Sequence, residues 1–374
     1  MPEAPARGVR AGRGEGMRVA IFHDYLKTVG GAERLVLELA KALDADVIST
    51  DYDPAVVEMA GSDGVRVIDL GPLARGPPLK QIHASWKFAR CRFPGYDFYI
   101  FSGNWSTFAA KRHHPNLLYC HTPTRMFYDQ KEATLGRLSP SRRWFGRAWI
   151  ALHGMLERKA IGHCDRILTN SANVAERVRR YYGREATVVY GAVPTSSFRY
   201  EEVGDTWLSV SRLYPEKRID LLLEIFRRLP DQRLQIVGGY SPGDRAERYV
   251  ATLQPPPNVT FLGVVSDARL RELYARCRGL ITAAVDEDFG LTPIEAMASG
   301  KCVLATDEGG YRETVVPGET GFLLPADPEA FAAKIRELDT DALRAMRDAC
   351  QKRAKDFDTA VFVERIREAI ESRA

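Results

Sequence analysis

Two carboxylates stand eight residues apart in EDFGLTPIE, Glu287 and Glu295, and two cations share the stretch SRLYPEKRID, Arg212 and Lys217. Arginine offers a planar fork and lysine a mobile point charge, a combination suited to a diphosphate. The same residues would also make an ordinary solvated basic loop. Thr292, Pro293 and Glu295 spell an N-cap, an N1 proline and an N3 acid, the pattern of a capping box, so Glu295 has a structural role open to it. Glu287 precedes that cap, where helix periodicity gives it no task. It is either an exposed acid between Asp286 and Asp288 or a chemical group. The backbone of Phe289, Gly290 and Leu291 leads into the helix start, where unsatisfied N–H groups and the helix dipole favour an anion. Gly290 lets the main chain approach a phosphate closely. Helix start and cationic loop would then hold one diphosphate from two directions. A phosphate would repel Glu287, which points that carboxylate toward a hydroxyl-rich or cationic part of a substrate.

Further candidates lie nearer the N-terminus. Gly30 and Gly31 fall between a predicted strand and a predicted helix, where glycine permits close approach to a ligand and equally makes a tight loop. In YCHTPTRMFYD, His121 follows a strand directly, so its ring should emerge at the strand end, as a functional or a satisfied structural histidine. Asp24, after the first strand, is a candidate of the same kind. Residues 79–93 (LKQIHASWKFARCRF) and 139–160 (SPSRRWFGRAWIALHGMLERKA) interleave Arg and Lys with Trp and Phe. Such segments either lie at an anionic membrane surface or pack their aromatic face into a core with the charges solvated.

Alternating strands and helices must position these residues. From Met17, RVAIFHDYLKTVGGAERLVLELAKALDADVIST reads as a βαβ unit whose helix carries the apolar stripe Leu35, Val36, Leu39, Ala40 and Leu43. Short apolar runs follow at Val65 to Ile68, Phe98 to Phe101, Leu117 to Cys120, Arg166 to Leu168 and Thr187 to Val189. After the Gly- and Pro-bearing stretch 191–205, a second series opens with TWLSV. It continues through a helix from Ile219, RLQIVGG, a helix after Asp244, NVTFLG, a helix from Asp267 to Cys277, GLITAA, the helix of the opening motif and CVLAT. This rhythm predicts two doubly wound α/β domains, with ligands at the carboxyl ends of their strands and a cleft where the domains face each other. The last helix, near Thr359 to Ser372, could cross back to the first domain. Neither series carries a full G-x-G-x-x-G, which disfavours a dinucleotide oxidoreductase.

The 374 residues exceed one common domain, and 45% hydrophobic with 27% charged residues suits a soluble enzyme. No uncharged apolar run approaches the roughly 18 residues of a spanning helix. Residues 1–16 lack the apolar region of a signal peptide and read as a disordered extension, with Met17 as an alternative start. The cysteines at 91, 120, 164, 277, 302 and 350 show neither CxxC pairing nor metal-ligand spacing, which suggests scattered thiols in a reducing, cytoplasmic compartment. A net charge of +4 is too mild to indicate nucleic acid as a partner.

With GGAE, HTPTR, SRLYPEKRID and EDFGLTPIEAMASGKCVLA in this order, the chain from about Met17 onward resembles the retaining glycosyltransferases of family 4. The resemblance implies the GT-B fold: two facing Rossmann-like domains, an acceptor-side domain over 17–195 and a nucleotide-sugar domain over 196–356, with 357–374 as the terminal helix. It implies that Arg212 and Lys217 bind the diphosphate and stabilise the departing charge. Glu295 would bond the ribose, Glu287 would lie beside the donor sugar, and the backbone at Gly263 and Val264 would contact the base. Gly30 and Gly31 would approach the phosphates or sugar, with His121 facing sugar or acceptor. Catalysis would fall to Glu287, His121, Arg212 and Lys217, without metal or cofactor. HTPTRMFYD is similar to the HTP-x-R segment of mannosyltransferases of surface-polysaccharide assembly, which favours GDP-mannose over a UDP-sugar. The acceptor would be a saccharide, lipid-linked if the basic aromatic segments touch the inner face of a membrane. A nucleotide-sugar epimerase of the same architecture and a non-catalytic sugar-nucleotide-binding module are the alternatives.

Overall fold

The computed structural model describes residues 17–27, 30–59, 61–62, 64–136, 138–240 and 245–372. The extension expected at 1–16 lies outside them. The chain divides into two compact units: the residues up to Cys120 with Thr124–Ile167, and His121–Pro123 with the residues from Leu168 onward.

Seven strands form the first sheet: β1 (Val19–Tyr25), β2 (Asp46–Thr50), β3 (Val67–Asp69), β4 (Phe98–Ser102), β5 (Asn116–Cys120), β6 (Arg166–Thr169) and β7 (Thr187–Val188), in the order β3-β2-β1-β4-β5-β6-β7. Six form the second: β8 (Thr206–Val210), β9 (Arg233–Val237), β10 (Val259–Gly263), β11 (Leu280–Thr282), β12 (Val303–Thr306) and β13 (Gly321–Leu324), in the order β10-β9-β8-β11-β12-β13. All described pairings are parallel. In both sheets the order reverses beside the first strand, between β1 and β4 and between β8 and β11. At such a switch point the loops leaving neighbouring strands diverge and open a crevice at their carboxyl ends.

Both faces of the second sheet are covered. Leu208, Leu280, Val303 and Ala305 join one buried cluster, while their alternating neighbours Trp207, Ile281, Cys302 and Leu304 join another. A period of two thus feeds two cores, as a doubly wound sheet requires. In the first sheet Val19 to His23 are buried without interruption. The helix Gly31–Leu43 buries Leu35, Val36, Leu39 and Ala40 of the expected stripe.

Two differences from the sequence reading concern length. The run placed at Val65 to Ile68 forms its strand two residues later, at Val67–Asp69. β13, GFLL, was not foreseen. It is a four-residue edge strand opening on Gly321, where any Cβ would collide with the Val303 carbonyl of β12, so close pairing rather than side-chain pattern defines it.

Candidate active site

The second switch point is assembled by three loops that brace one another. After β8 the chain lies flat across the end of β9: Ser211 N donates to Val237 O, and Leu213 N to Gly239 O, both at 3.0 Å. That is possible because Gly238 has φ 139° and no side chain; a Cβ there would collide with the Ser211 carbonyl. One 3₁₀ turn, Pro215–Lys217, follows, and left-handed Arg218 ends it. The loop after β11 joins it through Val285 N, which donates to Glu216 O at 2.8 Å. Glu308, after β12, ties both loops by accepting from Arg218 Nη1 (2.7 Å) and Asp286 N (3.1 Å). Gly310 N donates to Glu287 O at 2.8 Å, with Gly309 and Gly310 packed directly on the main chain of residues 286–289.

This bracing brings two of the expected groups together. Lys217 Nζ lies 2.5 Å from Glu287 Oε2, with only 22% and 18% of the side chains exposed. Glu287 is therefore not a free surface acid. The Tyr311 hydroxyl lies 3.5 Å from the same carboxylate oxygen and 2.7 Å from Thr282 Oγ1. Burial, with the Glu287 charge second, pushes the Tyr311 phenol well above its ordinary range, so it stays a neutral donor. Arg212 is exposed, with its guanidinium 5.1 Å above the Tyr214 ring.

The capping box is not formed. The helix runs Leu291–Ala298 with Gly290 as N-cap at φ 90°, and no side chain caps it. The reason lies beneath Gly290: a Cβ there would come within 2.8 Å of the Tyr311 ring, so only glycine can make this tight left-handed entry, and the helix begins before Thr292. Glu295 then sits inside the helix, where its Oε2 accepts from buried Tyr274 OH at 2.6 Å. The Phe289 side chain is buried and stacked on Tyr190, at 5.6 Å and 16°, so only its backbone is available to a ligand. The result is a helix start without a side-chain cap, beside a lysine–glutamate pair, at the carboxyl end of a parallel sheet. Such a start favours an anion.

Residues 29–197 match Glycosyltransferase Family 4, and residues 200–357 match Glycosyl transferases group 1. The chain belongs to glycosyltransferase family 4. Among similar sequences, the D-inositol 3-phosphate glycosyltransferase of Streptomyces bingchenggensis is 27% identical over 83% of this chain and 77% of its own length. The alpha-1,3/1,6-mannosyltransferase of Mus musculus is 28% identical over 81% and 83%. The O-antigen chain mannosyltransferase of Salmonella typhimurium is 28% identical over 49% and 54%. Among solved structures, Anabaena HepE in complex with UDP and glucose aligns with TM-score 0.75 at 20% identity, covering 95% of this chain and 100% of that one. Sucrose-phosphate synthase of Thermosynechococcus elongatus gives 0.76 at 21%, covering 95% and 98%. The fold is GT-B.

In this family-4 glycosyltransferase the residues that sequence reading missed lie mostly around Glu287. Buried Arg177, on the helix Ala172–Tyr182, donates to Thr122 Oγ1 (3.0 Å), to Asp286 O (2.8 Å) and to the Asp288 carboxylate, and pairs with Asp286 Oδ2 at 2.8 Å. Asn173 Nδ2 reaches Asp286 Oδ1 (3.1 Å) and Glu287 O (3.0 Å), and Ser171 Oγ donates to Asp288 O at 2.6 Å. The acids flanking Glu287 thus anchor the loop, and they hold Asp286 in a left-handed conformation, φ 45°, that a non-glycine residue rarely adopts. Half-buried His121 adjoins Thr122 in the short segment that clusters with this unit. Gly263 ends β10 at φ 68°, and Val264 after it is 82% exposed, an apolar side chain standing free at a strand end.

In the first unit Gly30 is extended, not left-handed, and Glu33 folds over it: a Cβ would lie 2.6 Å from Glu33 Oε2. Gly31 opens the helix. Asp24 is structural. Its carboxylate accepts from the backbone N–H groups of Asn104, Trp105 and Ser106 at 2.8–2.9 Å, capping the turn after β4. Buried His23 contacts the Ser102 carbonyl through Nδ1, and its Nε2 lies 3.8 Å from Glu33 Oε1. Burial opposes its charge, yet Glu33 and Asp24 together raise its pKa above the ordinary value.

Proposed function

We propose that the chain is a retaining, metal-independent hexosyltransferase that moves mannose from GDP-mannose to a saccharide or lipid-linked saccharide in glycan or surface-polysaccharide assembly. It works in the cytoplasm. The observation that carries the reading is the Lys217–Glu287 pair beside the uncapped start of Leu291–Ala298. The lysine, Arg212 and the helix N–H groups supply the positive charge that a departing diphosphate needs. Glu287 offers sugar hydroxyls the carboxylate oxygen that Lys217 does not engage, and His121 faces sugar or acceptor. Gly263 and Val264 meet the base, Glu295 the ribose, and the backbone of Phe289, Gly290 and Leu291 the phosphates. Residues 17–195 form the acceptor side, with Gly30 and Gly31 approaching the phosphates or sugar of the donor, and residues 196–356 hold the nucleotide sugar. The names of the mouse and Salmonella relatives support mannose.

The test is a thermal-shift screen of GDP, UDP and ADP with their sugars, followed by transfer assays with EDTA. Selective stabilisation by GDP-mannose, and turnover that persists in EDTA, are expected. Stabilisation by UDP-sugars alone would overturn the donor, dependence on added divalent metal would overturn the metal-free reading, and epimerised sugar nucleotide without acceptor would point to the other enzyme class.

Glu295→Gln separates the two partners of that side chain. Glutamine keeps an oxygen for Tyr274 but loses the charge offered to ribose hydroxyls. Donor affinity should fall about 10-fold, since a hydrogen bond to a charged group contributes about 1.5 kcal/mol or more, with the melting temperature nearly unchanged. Unchanged affinity in calorimetric titration would remove Glu295 from ribose binding.

A further inference from the structure

The first unit carries an apolar surface that its own fold leaves uncovered. On the helix Pro140–Ile161, the buried side chains include Ile150, His153, Glu157 and Ile161. The exposed large apolar residues are Trp144, Phe145, Leu152, Met155 and Leu156, with Trp144 68% and Phe145 69% exposed. At about 100° per residue these five fall within an arc of roughly 120°, nearly opposite the buried arc. A helix of a globular protein normally turns its charged residues to that side. The neighbouring helix Leu79–Arg90 does the same with Leu79, Ile82 and Trp86, one stripe at i, i+3 and i+7. The two helices adjoin, because Ser85 Oγ meets His153 Nε2 at 3.2 Å.

Charge selects the occupant. The longer helix holds Arg142, Arg143, Arg147, Arg158 and Lys159, all exposed, and one acid, Glu157. That acid is buried and engaged by Thr124 Oγ1 and by Tyr128 OH at 2.9 Å. The shorter helix has no acid, and its Arg90 lies over the exposed Trp86 ring at 5.1 Å. An apolar and aromatic arc with Lys159 within it and Arg142, Arg147 and Arg158 at its borders, with no accessible carboxylate on either helix, is unlike a protein interface, whose core is depleted of charge. It matches an anionic lipid surface, where indole rings sit at headgroup depth and long cations reach the phosphates. Among the described residues no helix is long and apolar enough to cross a membrane.

We propose that this face, centred on Trp144, Phe145 and Trp86, docks the protein on an anionic phospholipid membrane. It names the surface on which the lipid-linked acceptor of the proposed reaction would be met, and it rests on that reading only for its purpose. Vesicle binding is measured without donor or acceptor, so either reading can fail alone.

The experiment is co-sedimentation of the full chain with vesicles of phosphatidylcholine alone or mixed with phosphatidylglycerol. The wild type should bind the mixed vesicles at least about 10-fold better, because several cations lie near the surface and each adds to the attraction. Trp144→Glu with Phe145→Glu, both on the exposed arc, should abolish binding while the nucleotide-induced thermal shift stays intact. Arg142→Glu with Lys159→Glu, both exposed at or beside the arc, should remove the preference for phosphatidylglycerol. Absence of vesicle binding by the wild type, or equal binding by the Trp144/Phe145 variant, would overturn the proposal. A vesicle-free dimer that this variant dissolves would also overturn it, by assigning the face to a second copy.

Discussion

Lys217→Ala should lower turnover by about 10²- to 10³-fold, roughly 3–4 kcal/mol, the usual loss when one preorganised donor to a developing anion is removed. The fold should register it as well. The Lys217–Glu287 pair is about one-fifth exposed, so removing the lysine leaves a mostly buried carboxylate without its counter-ion, a loss between the roughly 1 kcal/mol of an exposed pair and the roughly 3–5 kcal/mol of a fully buried one. Two effects act together on catalysis. The diphosphate loses a cation, and Glu287 loses the counter-ion that keeps its carboxylate from repelling the incoming phosphates. The second effect can be isolated. Adding Glu287→Gln to Lys217→Ala removes the repulsion, so nucleotide affinity should partly recover while turnover stays low. Titration calorimetry and initial rates on the two single variants and the double variant make the comparison. A double variant no better at binding nucleotide than Lys217→Ala alone would mean that Glu287 does not face the phosphates. Lys217→Ala turnover within a small factor of wild type would remove the lysine from the chemistry.

That pair was half legible in the sequence, and the reason is instructive. The strand-end loops announced themselves through short-range pattern: apolar runs for β8 and β11, then cations or a glycine. Long-range partners leave no such mark. Asp286 and Asp288 read as a surface acidic run because the residue that neutralises them, Arg177, lies 111 positions away from Asp288 in the chain. Arg177 looks in turn like one more charge on an amphipathic helix. Glu308 and Tyr311 were invisible for the same reason, as each acquires its role from a loop 20 or more residues earlier. Local pattern also misled where a tertiary contact overruled it. Thr292, Pro293 and Glu295 satisfy every rule of a capping box, but the Tyr311 ring beneath Gly290 dictates an earlier and tighter entry into the helix. The basic aromatic segments show the reverse case. Composition left core packing and membrane contact open for them, and the fold places Trp86, Trp144 and Phe145 outside the core.

Gly238→Ala should unfold the second unit more readily and weaken nucleotide binding through the same displacement. At φ 139° alanine is strained whatever the space around it, and its Cβ would collide with the Ser211 carbonyl. Left-handed strain of about 1–2 kcal/mol and overpacking of about 1–3 kcal/mol suggest a loss of roughly 2–5 kcal/mol, or about 4–20 °C in melting temperature for a domain of this size. The backbone cannot absorb it quietly. Ser211 and Leu213 are tied to Val237 and Gly239 on either side of Gly238, so relief of the collision lifts the loop that carries Arg212 and leads to Lys217. Gly318→Ala is the matched control. It too lies in the left-handed region, at φ 82°, but a Cβ there meets nothing within 4 Å, so it should carry only the conformational strain, about 1–2 kcal/mol. Thermal unfolding and nucleotide titration of both variants decide the matter. If Gly238→Ala loses stability without losing affinity, the loop after β8 is held by something other than its seat on β9, and the Arg212 side of the site is less dependent on this glycine than its geometry indicates.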